Sequence, residues 1–292
     1  MAEPLLDAEM MQRLEQLTLV SRKLSTGRLK GERRSRRHGS STDFADYRNY
    51  APGDDLRFLD WKIYGRLERL FLKLFQEEED LRVSILLDVS RSMAFGEPEK
   101  LLYAKRVAAA VGYLCLARMD TLGVYTFGND VARVFGPKRG RPNAPALFEA
   151  LSAVEPEPGT RLYGSFRTFS QTARRGLVFV ISDFYDFEGY AEAFRQLFAA
   201  DFEVAAIHVL SPGELRPRYQ GDIRLVDDEY DYSADVSMGR NVLDLYDRAL
   251  NAFCGGIRQY VVSRGGYYLF ASTESPFEKL VLDALRRQGV IR

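Results

Sequence analysis

The sequence predicts an α/β protein with a doubly wound, mostly parallel sheet and one antiparallel edge strand. Three observations carry that prediction. From residue 81 onward, apolar runs of strand length alternate with segments of helical periodicity, the pattern of a sheet covered on both faces by crossover helices. Two of the runs, residues 83–88 and 177–183, are almost wholly apolar and end in aspartates, Asp88 and Asp183, as strands buried on both faces do at a sheet rim. Gly128-Asn129 marks a turn between the runs 122–127 and 131–135, so these two fold back as a hairpin and one of them opposes the parallel set.

Taken in chain order, residues 5–24 place Leu14, Leu17 and Val20 among polar neighbours, which suits an amphipathic helix. A basic stretch follows at 28–37, then a turn-rich segment at 47–61 whose strongest turn signal is Pro52-Gly53-Asp54-Asp55. Residues 70–75 read as a strand and 76–80 as an acidic connection. Residues 98–118 read as a helix: Pro98 suits the first turn, and Ala104, Val107, Ala108, Val111 and Leu114 recur at helical spacing. Helices at 145–154 and 162–173 flank the Pro-rich segment 155–159. A helix at 189–200 leads to a strand at 204–210. An exposed hairpin is expected over 222–236, a long helix over 242–263, a strand over 267–271 and a closing helix over 276–288. The expected organisation is an N-terminal extension, residues 1–80, packing on a main domain, residues 81–292.

Bulk properties remove several classes of function. Lys+Arg and Asp+Glu both number 41, so no global charge draws the protein to nucleic acid. The 28–37 stretch lacks the interleaved aromatics of a nucleic-acid surface and is expected to be solvated or to face a partner. Cys115 and Cys254 are far apart, and His38 and His208 have no ligand-type neighbours in sequence, so no zinc spacing is present. Both cysteines read as core residues of a reducing compartment. With no secretory signal pattern, and no apolar run near the ~20 residues of a spanning helix, the expected location is the cytoplasm. The phosphate-loop, dinucleotide and nucleophile-elbow motifs are absent, and no enzyme activity is expected.

Chemistry concentrates at the two strand ends. Asp88 opens Asp88-Val89-Ser90-Arg91-Ser92-Met93, Thr160 follows the Pro-rich loop at the head of a helix, and Asp183 closes the second apolar strand. In open α/β sheets ligands gather outside the carboxyl ends of the strands. Asp88, Ser90, Ser92, Thr160 and Asp183 offer hard oxygen donors with no thiol or imidazole, a set that favours one Mg²⁺ or Mn²⁺. An ion held largely by neutral hydroxyls stays electrophilic and would draw a carboxylate from outside. Serine and aspartate are also ordinary cap and turn residues, so the short motif alone proves nothing.

The order Asp-x-Ser-x-Ser, Thr, Asp resembles the metal-ion-dependent adhesion site of von Willebrand A and integrin inserted domains. The resemblance implies that Ser90, Ser92 and Thr160 reach the metal while Asp88 and Asp183 act often through water, within a von Willebrand A-like fold. A longer match, Asp43-Phe-Ala-Asp-Tyr47-Arg48-Asn-Tyr50-Ala-Pro-Gly53-Asp54-Asp55-Leu-Arg57-Phe-Leu-Asp60-Trp61, followed by the strand at 70–75 and by Ser92-Met93-Ala-Phe95-Gly96 and Lys100, resembles the bacterial family called domain of unknown function 58. That resemblance implies a protein-interaction module whose relatives are commonly encoded beside MoxR-type AAA+ ATPases and thought to act with them in assembly. A partner's Asp or Glu would complete the metal. Within the signature segment, one view is a binding surface or a second acidic site; the other is a turn held by Asp–Arg pairs that docks the N-terminal segment on the main domain, with Trp61 as an anchor.

The competing function is a metal-dependent hydrolase of phosphate esters, because Asp88-Val89-Ser90 superficially resembles haloacid-dehalogenase phosphatases. Those need a second aspartate where this chain has Ser90, and no lysine is singled out by the sequence to balance a phosphate.

Overall fold

The structure, a computed structural model, describes residues 4–21, 44–52, 54, 56–75, 81–217, 221–226 and 233–292. The basic stretch at 28–37, His38 and the acidic connection at 76–80 lie outside the described residues, as do Gly53, Asp55 and the tip of the 222–236 hairpin. Two compact units result, one formed by Met1–Ser25 with Leu81–Arg292 and the other by Thr26–Asp80.

In the larger unit, six strands build the sheet: β3 (Arg82–Asp88), β4 (Thr121–Phe127), β5 (Val131–Lys138), β6 (Leu177–Ser182), β7 (Glu203–Leu210) and β10 (Tyr267–Ser272). Their order across the sheet is β10-β7-β6-β3-β4-β5. Every pairing is parallel except that of β5 with β4. The doubly wound, mostly parallel sheet with one antiparallel edge strand is therefore the fold adopted. β3 lies in the middle. The chain leaves it outward through β4 and β5, then returns to β6 and runs outward the other way, which makes the β3/β6 boundary the topological switch point.

Alternation along the strands sorts the core into two layers. Leu177, Phe179 and Ile181 of β6 join Val83, Ile85 and Leu87 of β3 in packing against α3 (Lys100–Ala117), α4 (Ala144–Ser152) and the C-terminal helical segment. Val178, Val180 and Leu86 face the other way, toward Leu162, Phe166 and Phe169 of α5 (Leu162–Thr172), Phe194 of α6 (Tyr190–Ala199) and Ile257 and Val261 of α8 (Arg240–Ser263). The helix α7 (Pro212–Leu215) follows β7, and β8 (Gly221–Val226) pairs with β9 (Ser233–Met238) as the expected hairpin.

Two expectations change. The N-terminal helix is only α1 (Ala8–Leu14), capped by Asp7, whose carboxylate accepts from the Met10 amide at 2.7 Å. Beyond it the chain extends, and Thr18 and Arg292 exchange backbone hydrogen bonds of 2.9 Å in both directions. β-branched Thr18 and Val20 suit that extended pairing better than a helix, and it ties the described N-terminal residues to the C-terminal end of the large unit. The closing helix is broken into α9 (Phe277–Lys279), a π-helical turn (Leu280–Ala284) and α10 (Leu285–Arg287).

The smaller unit holds more structure than its turn-rich sequence suggests. β1 (Phe44–Asn49) pairs antiparallel with β2 (Phe71–Phe75), and Asp60 caps α2 (Trp61–Leu67) by accepting from the Lys62 and Ile63 amides. The expected Asp–Arg pair exists: Arg48 Nη2 meets Asp54 Oδ1 at 2.8 Å, while Asp54 Oδ2 accepts from the Ala51 amide. The Trp61 ring is exposed and packs edge-on against Tyr64.

Candidate metal centre at the sheet rim

At the switch point, the carboxyl ends of β3 and β6 place Asp88 and Asp183 on one rim. Both are fully buried. After Asp88 the chain turns at once: the Ser90 amide donates to Asp88 Oδ1 at 2.9 Å, and Arg91–Ala94 forms a short 3₁₀ turn. That turn brings the Ser90 and Ser92 hydroxyls to 3.0 Å from one another. Ser92 Oγ in turn donates to Asp183 Oδ2 at 2.8 Å. Four of the five sequence-nominated residues are thus joined by a continuous chain of hydrogen bonds. Past Asp183 the backbone bends through Phe184 in the left-handed region, φ 59°, a strained conformation of the kind that gathers at functional sites.

Thr160, the fifth, is buried on the adjoining loop. The Glu157 amide donates to the Val89 carbonyl at 2.6 Å, and Ser90 and Glu157 form a parallel bridge. Asn129 Nδ2 donates to the Pro158 carbonyl at 2.7 Å, and the Arg161 amide to that of Gly128 at 3.0 Å. Gly159 sits at φ +85° with the Asn129 side chain where a Cβ would go, so a larger residue would push the loop off its seat. These tethers hold the Thr160 segment beside the Ser90 turn.

Three further residues were not nominated by the sequence motif. Ser182 Oγ donates to Asp88 Oδ2 at 2.5 Å and accepts from the Phe184 amide at 2.7 Å, bridging the two strand ends. Lys100, first residue of α3, is fully buried, and its ammonium donates to Asp183 Oδ2 at 2.7 Å and to Glu214 Oε1 at 2.5 Å. Glu214 is aimed by a capping box: its other oxygen accepts from both the Ser211 amide and hydroxyl at 2.7 Å. Gly96, at φ +102°, lets the loop after Ser92 approach Ser211, whose Cβ lies 2.4 Å from where a side chain would begin. Both signals were visible: Lys100 falls four residues before Ala104 on the apolar face of its helix, and Ser211-Pro-Gly-Glu214 has capping-box spacing.

The electrostatics follow from these contacts. Two carboxylates, Asp183 and Glu214, share the Lys100 ammonium, while the donors to Asp88 are the uncharged Ser90 amide and Ser182 hydroxyl. Burial and then the neighbouring charge of Asp183 push the Asp88 carboxyl up to about 7, against the opposing hydrogen bonds from Ser182 and Ser90. Burial alone would lower Lys100; the charges of Asp183 and Glu214 outweigh it and raise its pKa. The rings of Tyr185 and Phe95 lie 5.6 and 6.0 Å from the ammonium. Burial drives His208 down to about 4; its Nδ1 shares a 2.8 Å hydrogen bond with the Tyr268 hydroxyl, so it is a neutral core group. Among the described residues no three His, Cys, Asp or Glu side chains form a metal cage. What the rim offers instead is hydroxyls and carboxylates with surplus negative charge, which suits a hard cation that keeps some of its water.

The family described as protein of unknown function DUF58 matches residues 46–252. Uncharacterized protein Rv1480 of Mycobacterium tuberculosis is 26% identical over 294 residues, covering 98% of this chain and 92% of its own. Among solved structures, the conserved hypothetical protein BatB of Bacteroides thetaiotaomicron is 15% identical with a TM-score of 0.45, covering 72% of this chain and 98% of its own. A von Willebrand factor type A protein of Catenulispora acidiphila is 14% identical with a TM-score of 0.41, covering 75% and 43%. No helix among the described residues is long and apolar enough to cross a membrane.

Proposed function

We propose, from the premise that this chain belongs to the DUF58 family of proteins of unknown function, that it is a non-catalytic protein-interaction module whose rim binds one Mg²⁺ or Mn²⁺. The observation that carries this reading is the hydrogen-bonded chain from Ser90 through Ser92 to Asp183, set beside Asp88 in a cluster with more carboxylates than cations. Ser90, Ser92 and Thr160 would hold the ion, with Asp88 and Asp183 balancing its charge directly or through water. Bound there, the metal supplies a Lewis-acidic position for a carboxylate from another protein.

Two features favour recognition over catalysis. The lysine that a phosphatase would use to balance phosphate is present, as Lys100, but its ammonium is buried and engaged by two carboxylates. Flanking the rim in sequence, Phe95 and Phe187 are 49% and 77% exposed, and aromatic side chains, Phe included, are enriched in protein interfaces. The partner we propose supplies an Asp or Glu, and a MoxR-type AAA+ ATPase, in the cytoplasm, is the one to test.

Titration with Mn²⁺ read by electron paramagnetic resonance tests the site. Saturable binding displaced by Mg²⁺ is expected for the full chain. A Ser90→Ala/Ser92→Ala double variant should bind at least tenfold more weakly with an unchanged circular dichroism spectrum. Equal binding by the double variant refutes the assignment. Metal-dependent turnover of p-nitrophenyl phosphate would refute the non-catalytic part.

A further inference from the structure

We infer that Lys100 is a built-in cation that weakens the site's hold on metal and, by the same charge, strengthens the metal's pull on an incoming carboxylate. The inference rests on the metal reading above and adds a residue that the adhesion-site motif does not contain.

Geometry comes first. Asp183 Oδ2 accepts from both Ser92 Oγ and Lys100 Nζ, at 2.8 and 2.7 Å, so the ammonium and that hydroxyl stand no more than about 5.5 Å apart. A metal held by the Ser92 hydroxyl would be a near neighbour of that ammonium. The ammonium therefore lies within the range where two cations in a poorly hydrated pocket repel strongly. Lys100 has little freedom to retreat: it is fully buried, pinned by Glu214, which Ser211 pins in turn, and walled by Tyr185 and Phe95.

Charge counting then gives the sign of each effect. With Asp88, Asp183 and Glu214 ionised, three negative charges and one ammonium leave the pocket at −2, and a divalent ion brings it to neutrality. A neutral, metal-loaded rim accepts a partner's carboxylate at little electrostatic cost. Without the ammonium, the empty pocket would stand at −3 and bind the ion more tightly, but the loaded pocket would stay at −1 and repel the carboxylate. Replacing Glu214 by a neutral amide works in the opposite sense: the empty pocket stands at −1, metal is held more weakly, and the loaded pocket, at +1, attracts the carboxylate more.

The probes are Mn²⁺ alone and acetate as a free carboxylate. For Lys100→Met in the full chain, Mn²⁺ affinity should rise at least tenfold, while acetate affinity for the Mn²⁺-loaded protein should fall at least threefold. Glu214→Gln keeps an acceptor for Ser211 and should shift both quantities the other way, with Mn²⁺ about fivefold weaker. If Lys100→Met does not fold by circular dichroism, the Glu214→Gln pair of measurements decides. Equal or weaker Mn²⁺ binding by folded Lys100→Met, or tighter binding by Glu214→Gln, overturns the inference while leaving the metal site standing. Absence of saturable Mn²⁺ binding in every protein removes the metal reading, and this inference with it.

Discussion

The strand ends on either side of the switch point carry the same residue under opposite conditions. At the end of β3, Asp88 is buried with a backbone amide and the Ser182 hydroxyl as its donors, and burial with the charge of Asp183 pushes its carboxyl up to about 7. At the end of β6, Asp183 is equally buried but holds the Lys100 ammonium, the Ser92 hydroxyl and the Tyr185 amide. One aspartate is compensated by the protein itself. The other is left under-compensated, and a carboxylate kept short of positive charge marks the place where an external cation would be most strongly held.

The comparison breaks most readily in the metal-free protein at pH 5.5, in the presence of chelator. There Asp88 lies below its raised pKa and is protonated, so replacing it by Asn should change the unfolding free energy by less than about 1 kcal/mol. Asp183→Asn removes one partner of a buried ion pair and should cost about 3–5 kcal/mol. Urea denaturation of the two variants against the parent checks this. Equal costs would mean that the two strand ends are not electrostatically distinct.

The next effect is a pH dependence. Asp88 has a folded pKa of about 7 against an ordinary aspartate value of 3.8, so its contribution to stability is complete below pH 3.8 and is lost as pH rises toward 7. Taking the difference between the parent and Asp88→Asn cancels the titrating groups that do not interact with Asp88. Without metal, that difference should move against the parent by about 2–4 kcal/mol between pH 4 and pH 8. Saturating Mg²⁺ should flatten it, since the ion supplies the missing charge. A difference that stays constant in chelator would show that Asp88 ionises as easily as an exposed carboxylate.

How much of this could be read from the sequence follows from the kind of signal each residue leaves. Asp88 and Asp183 end long apolar runs, so a buried parallel strand and a rim carboxylate are legible together. Ser90, Ser92 and Thr160 are legible as a set because the order of the motif maps onto successive loops at one edge; singly they are turn formers. Lys100 is different. It lies at helical spacing from Ala104 and Val107, on the face that α3 turns to the core, and a charged residue in a buried stripe needs a counter-ion. Which carboxylates provide it depends on bringing residues 183 and 214 to residue 100, a tertiary fact that no local pattern encodes. In the smaller unit, β1 and α2 stayed hidden because a six-residue strand and a seven-residue helix carry little periodicity.

The smallest effect separates support of the site from membership in it. Ser182→Ala removes the donor to Asp88 Oδ2 and the acceptor for the Phe184 amide, while leaving Ser90, Ser92 and Thr160 in place. It should cost about 1–2 kcal/mol in stability. Because that hydroxyl stabilises the ionised carboxylate, its loss should carry the Asp88 pKa further upward, visible by NMR of the aspartate carboxyl carbons. Mn²⁺ affinity at pH 8 should stay within about threefold of the parent, since Ser182 holds an aspartate and not the ion. Ser92→Ala should do the converse. Asp183 keeps Lys100 and the Tyr185 amide, so the stability loss should be under about 1 kcal/mol, while Mn²⁺ affinity falls at least tenfold. If Ser182→Ala weakened metal as much as Ser92→Ala, the ion would be held by the bridge between the strand ends, and the donor set at the rim would have to be redrawn around Ser182.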